Sequence, residues 1–252
     1  MVSSPSVCCL LLTADRQRFT DRAVQCFLDQ TFTGAHLLIY DSGEKEYEFL
    51  RPVNQRVTIV RNPSARGHKI GALRNEAIDM VKAEIIVHWD SDDWSAPDRI
   101  LSQGDDLTSH SATGYHNLLF LDTRFVVPSI GSKDTRGMEA WEYDYHKFGG
   151  YNPQTPHVVG SSLCYWRETW KRTPFSESIT HEDPEWCKRV AGLGAVNGVG
   201  TPGHDHPLLI AEVHGGNMSS SYAVFDSHQA HINPEWRRAV EWDEYCRERL
   251  YP

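Results

Sequence analysis

Ile85-Ile86-Val87-His88-Trp89-Asp90-Ser91-Asp92-Asp93-Trp94 is the stretch whose reading decides the fold. A β-branched apolar run ends in three carboxylates within four positions. A parallel strand covered on both faces shows no polar–apolar alternation, so residues 85–89 read as a buried strand. Asp90, Asp92 and Asp93 then sit where that strand leaves the sheet. Like charges this close repel unless a cation or hydrogen-bond donors relieve them. Hard oxygen ligands suit Mg²⁺ or Mn²⁺, and Mg²⁺ typically bridges one or two carboxylates to substrate phosphates. The stretch therefore predicts a metal–diphosphate site. A solvated strand end would explain a single acid better than three. An EF-hand loop fails because its turn Gly and terminal Glu are not at the required spacing.

Upstream, strands and helices alternate. Residues 7–12 read as a first strand and 20–29 as a helix with an Ala23, Val24, Phe27, Leu28 stripe. Residues 35–40 read as a second strand ending at the Asp41-Ser42-Gly43 turn, and 57–60 as a third ending at Arg61-Asn62-Pro63. Residues 69–82 are strongly amphipathic, with Ile70, Leu73, Ala77, Ile78 and Val81 on one face and Lys69, Arg74, Glu76 and Asp79 mostly off it. This alternation predicts an α/β fold with a mainly parallel central sheet flanked by helices. Ligands bind beyond the carboxyl ends of such sheets. The topology thus brings residues 13–15, Asp41, 61–69 and 90–93 to one edge.

Downstream the pattern is less regular. A helix is expected from Ala96-Pro97-Asp98 to about Leu107, with Pro early in its first turn. Strands are expected at 118–121, 123–127, 158–165 and 208–213, and a short helix at 182–191. Residues 133–156 are polar, Gly-rich and aromatic and read as a long irregular loop. Trp141 and Tyr143 there are candidates to stack on sugar faces, or else core residues. Residues 234–251 read as helical, with Trp236, Ala239, Val240, Trp242 and Tyr245 as a docking face.

Composition narrows the function. The 252 residues are 40% hydrophobic and 23% charged, ordinary for a globular protein. A formal net charge of −9 argues against nucleic acid or an anionic membrane as main partner. The apolar run at 7–12 is too short to span a bilayer and lacks a basic leader, so a cytoplasmic location is expected. None of the six cysteines forms a Cys-x-x-Cys pair, and Cys8 and Cys9 read as small core residues.

Three further groups carry chemistry. Arg61, Arg66, His68 and Lys69 precede the 69–82 helix, where cations oppose the helix dipole and a bound phosphate would relieve them. Arg66 and Lys69 are the better phosphate candidates. His181-Glu182-Asp183 reads equally well as a helix cap or as a general base for an incoming hydroxyl. Among His204, His206 and His214, the last is best placed to join the acids as a metal ligand, although many such histidines are only surface or satisfied core residues.

The ordered set of motifs resembles the family 2 glycosyltransferases of GT-A fold. Leu10-Leu11-Leu12-Thr13-Ala14-Asp15-Arg16 resembles their first-strand motif, and Ile39-Tyr40-Asp41-Ser42-Gly43 their acidic turn. Gly71-Ala72-Leu73-Arg74-Asn75-Glu76-Ala77 is similar to their Ala-Arg-Asn-x-Gly helix, and Asp90-Ser91-Asp92-Asp93 to their Asp-x-Asp-Asp signature. Gly160-Ser161-Ser162, Tyr165-Trp166-Arg167 and Pro174-Phe175 resemble the segment leading to their Glu-Asp motif, here Glu182-Asp183. His214-Gly215-Gly216-Asn217 resembles a late His-Gly-x-Asn stretch. The resemblance runs from residue 7 to about 217 and is weak between 122 and 157. Departures at Leu12, Ala14, Asp15 and Tyr40 surround the base pocket and leave the base preference open.

The resemblance implies a single GT-A-like, Rossmann-like domain. Residues 1 to about 110 would bind the nucleotide-sugar, about 111–217 would carry the acceptor and catalysis, and 218–252 would be a helical tail. It implies Thr13, Asp15 and Asp41 at the nucleoside, Asp92 at the ribose with Asp90 in support, and Arg66 and Lys69 at the phosphates. Asp93 would hold Mn²⁺ or Mg²⁺, with His214 completing the shell, and Asp183 would be the catalytic base. Gly160 and Glu182 would lie on the acceptor side with Trp141 and Tyr143. The expected activity is metal-dependent, inverting transfer of a sugar from a nucleotide-sugar, with UDP the expected nucleotide, to a carbohydrate or other hydroxyl. A phosphate-ester hydrolase with Asp90 as nucleophile and a catalytically silent nucleotide- or sugar-binding module are the alternatives.

Overall fold

A computed structural model describes residues 5–45, 55–124, 138–144, 157–177, 182–199, 205–214 and 236–251. Its first sheet holds β1 (Val7–Thr13), β2 (Ala35–Asp41), β3 (Val57–Arg61), β4 (Ile85–His88), β6 (Ala112–Tyr115), β9 (Cys164–Trp166) and β10 (Leu193–Val196). The strand order is β10-β6-β9-β4-β1-β2-β3. All neighbours are parallel except β9, which runs antiparallel between β4 and β6.

Burial explains the unbroken apolar runs. Cys8, Leu10, Leu38, Tyr40 and Ile86 face one side, where Leu73, Ala77 and Ile78 of α2 (Ile70–Met80) and Trp186 of α5 (Glu182–Arg189) cover them. Cys9, Leu11, Leu37, Ile39, Ile85 and Val87 face the other, against Ala23, Val24 and Phe27 of α1 (Gln17–Leu28) and Ile100 of α3 (Arg99–Asp106). Both sides are covered, so no polar face is needed. A further short helix, α4 (Arg167–Arg172), follows β9. All six cysteines are buried free thiols.

A second sheet has the order β12-β8-β7-β11-β5. Its strands are β5 (Trp94–Ser95), β7 (Asn117–Asp122), β8 (Glu139–Asp144), β11 (Leu209–Val213) and β12 (Trp236–Arg238). Leu119, Leu121, Ala140 and Ile210 pack with Cys246 and Leu250 of α6 (Asp243–Leu250). Among the described residues no helix is long and apolar enough to cross a membrane.

Several sequence expectations need correction here. Residues 139–144 are a strand inside the segment read as a loop. Their acids disguised it: Glu142 is matched by Arg237 at 3.0 Å and Asp144 by His116 at 3.4 Å. Trp141 and Tyr143 are therefore sheet residues, buried near Phe120 and Trp236, rather than rings presented by a loop. Within 158–165 only the end joins β9, after a 3-10 turn at Gly160–Ser162. Helix in the tail is confined to α6 and a 3-10 turn at Val240–Trp242, because Trp236–Arg238 pairs with β8. The strand expected at 118–121 is β7, which ends at Asp122; of the one expected at 123–127, residues 123 and 124 are not in a strand and 125–127 lie outside the described residues. The short, Gly-containing β6 and β10 had no periodic signal.

Candidate active site

Register sets the nucleoside end of the edge. Thr13, Asp41 and Arg61 are paired across the ends of β1, β2 and β3. Thr13 shares a 2.9 Å hydroxyl–hydroxyl hydrogen bond with Thr20. Asp41 is buried; its Oδ1 accepts the Gly43 amide at 2.8 Å, while its Oδ2 has no hydrogen-bond partner. Arg61 Nε, at 3.7 Å from that oxygen, is beyond hydrogen-bond reach. Asp15 has a left-handed backbone, φ 56°. Its carboxylate accepts the Lys45 amide at 2.9 Å and pairs with Arg66, and these contacts hold it below the ordinary carboxyl range. Gly43 is required at this junction: a Cβ there would meet Asp15 and Asp41 atoms at 2.7 to 2.9 Å.

The basic set is partly engaged by acids. Arg66 faces Asp15 and Glu44, and His68 faces Glu76 at 3.2 Å. Lys69 is exposed just before α2. Tyr40, which stands where the family motif has an acid, turns onto α2: it donates to Glu76 and accepts from Asn62 at 2.7 Å.

The acid turn follows β4, which stops level with Leu10 of β1. Its carboxylates are treated differently. Asp92 Oδ2 meets Arg16 at 3.0 Å and His214 Nε2 at 3.1 Å. Burial alone would raise the Asp92 pKa, but the His214 hydrogen bond and the Arg16 charge outweigh it and hold it low. Asp93 is pushed well above the ordinary range by burial, then by the Asp92 and Asp90 charges, against lesser relief from Arg99 and the Ser161 hydroxyl. Its Oδ2 is buried with no hydrogen-bond partner. Burial also raises Asp90, opposed chiefly by Arg74.

Opposite the acid turn, Asp183 lies in the first turn of α5. Its carboxylate packs on Gly160 so closely that a Cβ on that glycine would fall among the Asp183 side-chain atoms. The Gly160 carbonyl is 2.8 Å from His88 Nδ1, and His88 Nε2 is 3.2 Å from the Tyr165 hydroxyl. Burial and the Arg74 charge hold His88 well below the ordinary imidazole value, so it is neutral. With Nδ1 donating to Gly160, Nε2 accepts from Tyr165. Glu182 does not face outward: it is buried and paired with Arg74.

The sequence topology set residues 13–15, Asp41, 61–69 and 90–93 along one edge; the structure also brings Asp183 within electrostatic reach of Asp90, and Gly160 onto His88 at the end of β4. The sequence reading put His214 beside Asp93, whereas its ring bonds to Asp92 and stacks on Phe19 at 4.3 Å. His181, His204 and 215–217 lie outside the described residues. Arg74 was taken as mostly off the apolar face, yet it is buried and senses Glu182, Asp90 and Asp183 together. Its signal was spacing: Ile70, Arg74 and Ile78 share one helical stripe. Arg16, Phe19, Arg22, Arg99 and Glu212 were also missed. Arg99 is fully buried, and donates to the carbonyls of His88 at 2.8 Å and Ser161 at 2.9 Å.

A divalent cation fits this donor set. Among the described residues no three His, Cys, Asp or Glu side chains form a ready-made cage. A diphosphate-bridging ion needs only one or two carboxylates, and Asp93 offers a buried oxygen with no other partner.

Residues 10–116 match the model of glycosyl transferase family 2. No curated protein matches the chain by sequence. The chain is similar in structure to S. aureus TarS 1-349 in complex with UDP-GlcNAc, with 14% identity and a TM-score of 0.53 over 86% of this chain and 61% of that one. It is also similar to the mannosyltransferase PcManGT from Pyrobaculum calidifontis in complex with GDP-Man and Mn²⁺, with 12% identity and a TM-score of 0.55 over 98% of this chain and 69% of that one. The full S. aureus TarS structure aligns at a TM-score of 0.51 and 12% identity over 90% of this chain and 41% of that one. The chain spans about three-fifths of TarS 1-349. The shared fold is GT-A, a mainly parallel sheet flanked by helices.

Proposed function

We propose that this chain, whose residues 10–116 carry the family 2 glycosyltransferase segment on a GT-A fold, transfers a sugar from a nucleotide-sugar to an acceptor hydroxyl with inversion at the anomeric carbon. UDP is the proposed nucleotide. The observation that carries the reading is the pairing of a cation-seeking acid turn with a separate carboxylate, Asp183, seated on Gly160 across the same edge.

Thr13 and Asp41 would hold the nucleoside, with the partnerless Asp41 oxygen accepting a base N–H. Asp15 and Arg66 would border that pocket, and Lys69 would stand near the phosphates. Asp92 would contact the ribose, with Asp90 in support. Asp93 would hold the cation, with His214 held close by through Asp92. When bound, the cation supplies charge neutralisation for the departing diphosphate. Asp183 would take the acceptor proton as its oxygen attacks from the opposite face, a role worth roughly 10²–10⁴-fold in rate. Trp141, Tyr143 and Glu182 would support this end from within the fold.

Calorimetric titration with UDP and with GDP, each with and without Mn²⁺, tests the donor site. Metal-dependent binding of one nucleotide, abolished in Asp93→Ala, is expected. Asp183→Asn should then keep that binding and lose transfer from the matching nucleotide-sugar. Failure of wild type to bind either nucleotide under any metal condition would sink the reading. Phosphate release from simple esters without an acceptor would favour the hydrolase instead.

A further inference from the structure

Glu212 lies in β11, an entirely buried strand, and its carboxylate accepts hydrogen bonds from residues outside that strand. Arg22 of α1 donates to its Oε2 at 2.7 Å. Thr123 and the Tyr251 phenol, which follows α6, both donate to its Oε1. The same Arg22 donates to the main-chain carbonyl of Asp92, within the acid turn, and to the Leu250 carbonyl at 3.1 Å. One guanidinium therefore ties α1, β11, the end of α6 and the turn that carries Asp92 and Asp93.

The side chain of Asp92 is gripped from the same helix. Phe19, one turn before Arg22 on α1, stacks on His214, which bonds to Asp92 Oδ2 at 3.1 Å. Residues at i and i+3 share a helix face, so Phe19 and Arg22 act together on one residue, one through its side chain and one through its backbone. Arg18 lies over both the Phe19 ring, at 5.6 Å, and the Tyr251 ring, at 5.5 Å. Burial, then the Glu212 charge, push the Tyr251 phenol up to about 12, so it remains a donor.

We infer that Arg22, Glu212 and Tyr251 are positioning residues that set the acid turn, making α6 and Tyr251 part of the support for the metal–diphosphate site. This rests on the glycosyltransferase reading for its functional consequence, though the mechanical link does not. None of the three touches the reacting atoms. Their effect is to fix where the Asp92 and Asp93 carboxylates stand, as outer-shell partners do for metal ligands.

Tyr251→Phe removes one charge-assisted hydrogen bond and keeps the ring. Glu212→Gln keeps the shape and removes the charge facing Arg22. Hydrogen exchange should show faster exchange of the amides of residues 91–94 in both variants, with β1 and β2 unchanged. UDP–Mn²⁺ affinity should fall roughly tenfold in Tyr251→Phe, the effect of one lost charged hydrogen bond. Turnover at saturating donor should fall less than the affinity does, because Asp183 is held elsewhere. Val240→Ala, at an exposed site before α6, should change neither. If Tyr251→Phe folds with wild-type exchange at 91–94, the inference is overturned, whatever the ligand results. If exchange quickens while wild type binds no nucleotide, the junction stands and the functional reading falls. Should Glu212→Gln fail to fold, Tyr251→Phe alone decides.

Discussion

Two buried charge clusters flank the carboxyl edge of the first sheet, and they are handled in opposite ways. On the α2–α5 side, the Arg74 guanidinium sits against Glu182, and both are almost fully buried. In the turn after β4, Asp93 is equally buried, but its Oδ2 has no hydrogen-bond partner. The first cluster is closed within the protein; the second leaves a buried carboxylate oxygen without a hydrogen-bond partner, as the proposed cation site requires. Burial alone does not separate structural from functional charge. Whether each charge has met its complement does.

Arg74→Met would give the largest effect. It leaves Glu182 buried without its cation, which typically costs 3–5 kcal/mol, and urea unfolding at neutral pH measures it. The double variant Arg74→Met/Glu182→Leu should recover most of that loss, since both charges then go together. A single variant that unfolds within about 1 kcal/mol of wild type would show that the pair is not closed in this sense.

Gly160→Ala tests the boundary between the clusters. The added methyl takes space held by the Asp183 carboxylate, so Asp183, the proposed base, must shift. Turnover should fall by about 10²-fold, the scale of a misplaced reacting group. Nucleotide affinity should be nearly unchanged, because the methyl would meet Asp183 rather than the acid turn. Unchanged turnover would remove Asp183 from the chemistry or show that it has room to move.

Legibility in the sequence follows the same division. β1, β2, β4, α1 and α2 were readable because both sheet faces are covered, which imposes long apolar runs and regular helical stripes. The carboxylates of the open cluster stood out because a solvated strand end accounts for a single acid better than for three in four positions. The second sheet was hidden. Glu142 and Asp144 make β8 look like loop, and only partners distant in sequence, Arg237 and His116, show why a strand tolerates them. The closed charges were hidden too. Arg74 and Arg99 look like solvated helix residues until Glu182 in one case, and the His88 and Ser161 carbonyls in the other, are brought to them. Sequence shows a charge; it takes the fold to show whether that charge is already answered.

Asp93→Asn gives the smallest effect on stability and the sharpest test of the comparison, because its sign is opposite to that of Arg74→Met. Burial and the neighbouring Asp92 and Asp90 charges hold the Asp93 carboxyl well above its ordinary value of 3.8. The folded, metal-free protein therefore binds that proton more tightly than the unfolded chain does. By linkage, stability is lost as pH rises from the unfolded value toward the raised folded one. At neutral pH the wild type carries this penalty and the amide does not. Asp93→Asn should raise the melting temperature of the metal-free protein by about 2–4 °C, the shift expected for 1 kcal/mol in a domain of this size. The two proteins should converge once pH falls below the unfolded value of 3.8, where Asp93 is protonated in both states. With Mn²⁺ and UDP present, the order should invert, since only the wild type gains from binding. A metal-free Asp93→Asn variant that melts below wild type at neutral pH would mean that Asp93 already has its complement within the fold.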